Sequence, residues 1–146
     1  MGNVFLKKTD SLDSLVDYPK PFFELAFARA AYEGLENAVQ LMLEKSDVSI
    51  NSTIKTVLDN APLLIRSEYG NWLDTIRDYH YSDTPLITAA GRGHDKVVEL
   101  LLGKEGILAN RANEHGWTPL SLAASNGHDK VVKLLLEMED IQRSNK

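Results

Sequence analysis

The sequence contains an internal repeat with a period of 34 residues. Residues 84–102 read TPLITAAGRGHDKVVELLL and residues 118–136 read TPLSLAASNGHDKVVKLLL, so that fourteen of the nineteen aligned positions are identical. Self-similarity over a fixed period of this length is typical of solenoids and other repeat architectures. A single unit of this kind cannot bury both of its faces alone and is stable only when it stacks on its neighbours. The repeat therefore predicts a stack of small units.

The residues that the two copies share predict a helix, a tight turn and a second helix in each unit. Thr84 and Thr118 are suited to cap a helix whose first position is a proline, where the missing N–H is harmless. Gly93 and Gly127 fall where that short helix must stop, at a position suited to positive φ. The valines and leucines that follow give the second helix a wide apolar face.

These segments resemble ankyrin repeats, whose unit of about 33 residues carries T-P-L-H-x-A-A, then G-H, then V-V and a leucine run. The resemblance implies an all-α fold, an ankyrin-repeat helical solenoid of about four helix-turn-helix repeats joined by short hairpin-like loops. Both copies depart from the family pattern at the histidine after T-P-L, where Ile87 and Ser121 stand. Because the family's histidine ties the hairpin turn to the helix, we expect looser joints at these two positions.

The resemblance extends upstream in weaker form. Residues 30–34 read AAYEG and align with residues 89–93, which predicts a degenerate repeat over about 22–50. Residues 61–63 read APL and are followed by Gly70, which predicts a second, shortened repeat within 51–81. The regular repeats cover 82–115 and 116–146. We therefore expect a polar lead-in over residues 1–20 and a single repeat domain over 21–146.

Composition argues against several functional classes. The chain has no cysteine, which removes disulfides, thiol catalysis and cysteine-ligated zinc. Its formal net charge of −5 is unlike that of most nucleic-acid-binding surfaces. Neither a membrane-spanning apolar stretch nor a secretory signal is recognisable. We expect an intracellular protein, in the cytoplasm or the nucleus, that binds neither nucleic acid nor membranes.

The four histidines do not form a recognisable catalytic or metal-binding motif. His94 and His128 occupy the G-H position of the repeat, so that we expect structural roles for both. His80 and His115 fall in the predicted hairpin tips, where no third metal ligand is evident. Nucleophile elbows and phosphate-binding glycine loops are absent from the sequence. We therefore expect no enzymatic activity, no metal ion and no cofactor.

The family resemblance implies that a protein partner binds the concave face, formed by the hairpin tips and the exposed side of the first helices. The two regular copies differ at 83/117, 91/125 and 92/126, as expected if the scaffold is fixed and the surface is specified separately. The first hypothesis is thus a non-catalytic protein–protein interaction module, an adaptor or scaffold, with Trp117 as the main anchor. The predicted partner-binding residues are Tyr69, Tyr79, His80, Tyr81, Asp83, Arg92, Glu114, His115, Trp117, Ser125 and Asn126.

A second hypothesis concerns the segment 68–83, which is rich in aromatic side chains. Together with Asp74 and His80, these residues have the composition of a small-molecule site or of a minor active site. The alternative is that Trp72 and Ile76 are core residues that fill the gap left by a shortened repeat.

A third hypothesis concerns the final helix, which we expect over residues 129–138. It is as apolar as an internal helix, whereas terminal repeats usually carry a polar outer face. This favours weak self-association through the C-terminal face, with Val131, Leu134 and Leu135 buried between copies. Two alternatives are that residues 139–146 fold back over this face, or that the chain is part of a longer repeat array.

Overall fold

The computed structural model describes residues 20–45, 48–59 and 82–144, and the regular structure within these ranges is helical. The helices are α1 (Lys20–Glu33), α2 (Glu36–Lys45), α3 (Ile54–Asp59), α4 (Pro85–Gly91), α5 (Asp95–Leu102), α6 (Pro119–Ser125) and α7 (Asp129–Ser144). Three pairs, α1/α2, α4/α5 and α6/α7, are each joined by a tight turn and form helical hairpins. This confirms the predicted all-α class.

The three hairpins stack in two layers. Helices α1, α4 and α6 pack side by side in one layer, and α2, α5 and α7 form the second layer. The core lies between the layers, where alanines of the first helices allow close approach and larger apolar side chains fill the remaining space. Its members include Phe23, Phe27, Ala30, Val39, Met42, Leu86, Ala89, Val97, Leu101, Ala123, Val131 and Leu135. The predicted helical solenoid is therefore confirmed.

The first two hairpins of the stack are far apart in sequence but adjacent in space. Helix α1 packs on α4, and α2 packs on α5, although residues 46–84 lie between these hairpins in the chain. Of the shortened repeat predicted over 51–81, the structure describes residues 51–59, where α3 packs on α1. Residues 60–81 lie outside the described part, so that this repeat stays a prediction.

The turns and caps follow the local sequence signals. The repeat glycines Gly34, Gly93 and Gly127 adopt φ values of 74°, 78° and 76°, as predicted for residues that end a short helix. The Thr118 hydroxyl accepts a hydrogen bond from the Ser121 amide (3.1 Å), and Ser121 Oγ accepts one from the Thr118 amide (2.8 Å). This reciprocal pair is a capping box. The expectation of a looser joint at Ser121 was therefore wrong, because its hydroxyl closes the cap.

The histidines of the G-H motif fasten each hairpin to the preceding one. The carbonyl oxygen of Tyr32 lies 2.8 Å from His94 Nε2, and the carbonyl oxygen of Gly91 lies 3.0 Å from His128 Nε2. Because a carbonyl can only accept, each Nε2 carries the proton in this bond. The predicted structural role of both histidines is confirmed.

Helix α7 is longer than predicted, and it buries side chains that we expected at its surface. It runs from Asp129 to Ser144, so that residues 139–144 continue the helix and do not fold back over the C-terminal face. Val131 and Leu135 are almost fully buried within the stack. Two of the three residues expected in the self-association surface are therefore unavailable to a second copy, whereas the third, Leu134, is partly buried. Leu136, which is 44% exposed, lies on the surface instead.

An ion pair links the second helices of the last two hairpins. Lys130 Nζ lies 2.9 Å from Asp95 Oδ2. The hydrogen bond from Lys130, together with its charge, lowers the pKa of Asp95, and the same bond raises the pKa of Lys130. Both groups remain largely solvated, so that the pair contributes little at physiological ionic strength.

The pH dependence of this pair is a testable consequence. Because folding lowers the pKa of Asp95, the stabilisation is present above roughly pH 4 and is lost as the pH falls through the folded-state value. We expect Lys130→Ala to be slightly less stable than the wild type near neutral pH, and the difference to shrink as the pH falls below roughly 4 and Asp95 becomes protonated. Thermal unfolding at low salt over this pH range measures it. A difference that persists unchanged in acid would contradict the assignment.

Candidate functional site

The loop before α6 folds into a tight tip that its own hydrogen bonds hold in place. We call residues 110–117 the tip loop. The backbone amide of Asn113 donates to the Trp117 carbonyl (2.9 Å), and the Gly116 amide donates to the Asn113 carbonyl (3.0 Å). Gly116 has φ of 85°, a conformation that favours glycine. Asn113 Oδ1 also accepts from the amides of His115 (2.9 Å) and Trp117 (3.0 Å). The side chain of Asn113 thus organises the turn.

The tip loop is also bound to the start of the preceding repeat. Asn113 Nδ2 donates to Asp83 Oδ1 (2.8 Å), and the Glu114 amide donates to Ser82 Oγ (3.2 Å). Asp83 is only 3% exposed. The prediction that Asp83 contacts a partner was therefore wrong, because this carboxylate is buried and positions Asn113.

Three of the predicted partner-binding residues lie together on the surface of the tip loop. Glu114 and His115 are exposed, and the large indole of Trp117 is 39% exposed. Their exposure agrees with the sequence analysis, whereas their role towards a partner stays a prediction. The tip loop therefore presents an apolar side chain beside polar ones on a hydrogen-bonded scaffold.

A second group of predicted residues lies at the other end of the first helices, where two of them already bind a neighbouring repeat. The Arg92 guanidinium lies 4.0 Å from the centre of the Tyr32 ring, and its Nη1 donates to Tyr32 Oη (3.0 Å). Asn126 Nδ2 donates to the Gly91 carbonyl (2.7 Å). Arg92, Ser125 and Asn126 are all exposed, but Arg92 and Asn126 also have this structural role.

The expected concave surface does not extend over α4. Every residue from Pro85 to Gly91 is buried, and residues 23–28 of α1 are buried as well. Exposed positions of the first-helix layer reappear at the end of α6, at Ala124 and Ser125. Within the described residues, the exposed predicted binding residues therefore lie in the tip loop and beside the repeat turns, and not along α4.

Four of the predicted site residues, Tyr69, Tyr79, His80 and Tyr81, lie outside the described residues. The same holds for almost all of the segment 68–83, in which the small-molecule site was hypothesised. The predicted roles of these four residues and of the small-molecule site therefore stay predictions.

Sequence reasoning missed two asparagines that connect neighbouring loops. Asn113 is one, and Asn51 is the other: Asn51 Nδ2 donates to the Gly106 carbonyl (2.9 Å), and its Oδ1 accepts from the Leu108 amide (3.0 Å). A signal for the second was available, since Asn51 and Asn110 stand at the same distance after their repeat glycines.

Neither a metal-binding cluster nor a membrane-spanning helix is found among the described residues. No group of three or more histidine, aspartate or glutamate side chains comes close enough to hold a metal ion within residues 20–45, 48–59 and 82–144. Over the same ranges, none of the helices has both the length and the apolar character needed to cross a membrane.

Comparison with known proteins identifies the family. A search of curated proteins finds no match for this chain. Among protein families, ankyrin repeats in three copies match residues 27–145, a stretch that begins within α1 and extends through the end of α7. Ankyrin repeats generally mediate protein–protein interaction and are typically not enzymes. The family match, together with the positive-φ glycines and the histidines that interlock successive hairpins, shows that the chain belongs to the ankyrin repeat family.

Proposed function

We propose that this chain is a non-catalytic protein-binding module, an adaptor or scaffold, that contacts its partner through the tip loop. The observation that supports the proposal is the exposure of Trp117 on a turn that Asn113 holds by four hydrogen bonds. Trp117 is 39% exposed, so that part of its apolar surface packs on the chain and part remains in contact with water. Its burial against a partner removes apolar area from water.

The rigidity of the tip loop favours binding for an entropic reason. A side chain that is already held near its bound position loses less freedom when the partner arrives. Tryptophan is also enriched among the residues that dominate binding energies at protein interfaces. Glu114 and His115 lie beside Trp117 and supply the polar rim that usually surrounds such an anchor. The complementary partner surface is an apolar pocket with polar groups at its edge.

Replacing Trp117 by alanine is expected to weaken partner binding by about 2 kcal/mol or more, which is roughly a 30-fold increase in Kd. Affinity capture with the wild type and the variant identifies the partner as the protein lost from the variant. Titration calorimetry with that purified protein then measures the change. Leu41→Ala is the matched control, because Leu41 is similarly exposed (38%) but lies on α2, in the layer of second helices.

The fold itself is expected to be unaffected by either change, which circular dichroism and thermal unfolding verify. Equal affinities of wild type and Trp117→Ala for every captured protein would exclude the tip loop as the binding site. The same would follow if Leu41→Ala weakened binding as strongly as Trp117→Ala.

A further inference from the structure

The last hairpin, α6/α7, exposes a face that the hairpin before it buries. In α4/α5, Ala90 and Val98 are fully buried and Leu102 is 8% exposed, because α6 packs on α4 and α7 on α5. One period later the counterparts of these residues lie at the surface or near it, and Leu136 is 44% exposed. We call this surface the outer face; it consists of Ala124, Ser125, Gly127, Asp129, Val132 and Leu136. The outer face corresponds in position to the surface through which α4/α5 contacts α6/α7.

The outer face also has a glycine at the position that contacts a histidine in each of the two interfaces between hairpins. A Cβ atom added to Gly34 would lie 2.6 Å from His94 Nδ1, and one added to Gly93 would lie 2.6 Å from His128 Nδ1. Both imidazoles thus lie directly against a glycine and bind the carbonyl two residues before it. Gly127 has the same positive φ, and no described atom lies within 4 Å of its Cβ position. The carbonyl two residues before it belongs to Ser125.

The acidic residue of the ion pair between the last two hairpins also has a counterpart on the outer face. Asp95 Oδ2 forms an ion pair with Lys130 Nζ of the following hairpin at 2.9 Å. Lys130 stands two positions after His128. Asp129 occupies the position of Asp95 one period later and is exposed. At the outer face, the Ser125 carbonyl and the Asp129 carboxylate thus stand at the positions where α4/α5 accepts His128 and Lys130.

We propose that the outer face binds a further helical hairpin of the ankyrin type that carries Gly-His-x-Lys at the turn between its helices. Its apolar side covers Ala124, Val132 and Leu136. Its histidine lies against Gly127 and donates to the Ser125 carbonyl, and its lysine pairs with Asp129. The inference concerns residues other than those of the tip loop and does not rest on the proposed function; a following repeat would place its own tip loop next to Trp117, as Asn113 lies next to Asp83.

A second copy of this chain does not provide the required chemistry. Its α1/α2 hairpin carries Leu35 and Asn37 at the positions of the histidine and the lysine. The copy's His94 and His128 are already bound to its own carbonyls, those of Tyr32 and Gly91. The observations therefore favour a hairpin from another repeat segment over head-to-tail self-association.

The test extends the 146-residue chain by one repeat. A copy of residues 105–138 is inserted directly after Met138, which places a Gly-His-x-Lys hairpin next to the outer face in the natural register. The matched control carries leucine and asparagine in place of the inserted histidine and lysine, as at Leu35 and Asn37. We expect a higher urea midpoint for the extended chain than for the control. Gly127→Ala is expected to lower the urea midpoint roughly twice as much in the extended chain as in the original one. Only in the extended chain does a histidine ring, that of the inserted repeat, lie against residue 127.

Hydrogen exchange provides a second readout, since the amides of α7 are expected to exchange more slowly in the extended chain than in the control. Equal effects of Gly127→Ala in both lengths, or equal midpoints of the extended chain and its control, would overturn the proposal. An extended chain that loses helical content would also overturn it, because a hairpin that fits is expected to add stability. So would a dimer of the original chain, in sedimentation equilibrium, that Leu136→Asp abolishes, since it would assign the outer face to a second copy.

Discussion

Replacing Leu101 by alanine is expected to lower the free energy of unfolding by about 2–5 kcal/mol. Leu101 is fully buried in α5, a helix of the middle hairpin, which packs against both neighbouring hairpins. The substitution removes apolar contacts and leaves a cavity that the surrounding helices fill only partly. Because a domain of this size is stable by about 5–15 kcal/mol, the loss is a large share of the total. Urea unfolding followed by circular dichroism measures it.

Leu136→Ala is the matched control for this prediction. Leu136 lies on the corresponding helix of the next hairpin but is 44% exposed, so that its truncation is expected to cost about 1 kcal/mol or less. Both variants remove the same three carbon atoms from a leucine on a second helix. Equal losses in the two variants would show that the described core does not hold the hairpins together.

The second large effect is expected at the turn of the middle hairpin. Gly93→Ala is expected to destabilise the protein by about 2–3 kcal/mol, as the sum of two contributions. An alanine at φ of 78° is strained by about 1–2 kcal/mol. Its Cβ would also lie 2.6 Å from His128 Nδ1, so that the imidazole must move and its bond to the Gly91 carbonyl, worth about 1 kcal/mol, is lost.

Gly127→Ala separates the two contributions. Its φ of 76° imposes the same backbone strain, but no described atom lies within 4 Å of the new Cβ. We therefore expect a loss of only about 1–2 kcal/mol, measured by the same urea titration. If Gly93→Ala and Gly127→Ala prove equally destabilising, the contact between glycine and histidine does not fasten the hairpins to each other.

The candidate site shows where sequence reasoning succeeds and where it does not. The exposure of Trp117 followed from its position beside a repeat start, since loop tips between stacked helices lie at the surface. Asp83 stands at the equivalent position one period earlier, yet it is buried. The difference arises because the next repeat supplies Asn113, whose amide binds the Asp83 carboxylate. Equivalent positions in a repeat are thus not equivalent in exposure once a neighbour covers one of them.

The part of the fold that depends on local interactions could be predicted from the sequence. Helix starts at Thr84 and Thr118, the positive-φ turns at Gly93 and Gly127, and the apolar faces of the second helices all follow from residues within one unit. Capping, backbone strain and helical periodicity act over a few residues, and a single sequence displays them directly.

The identity of neighbouring hairpins and the exposure of their faces depend instead on packing between residues that are far apart in the sequence. The α1/α2 hairpin packs directly on α4/α5 across the intervening residues 46–84, an order that sequence spacing did not reveal. The physical reason is that the entropy of closing a loop rises only slowly with its length, whereas the packing of Gly34 against His94 is specific. The same long-range packing buries Asp83, gives Asn126 a carbonyl to bind and leaves the outer face exposed beyond Gly127.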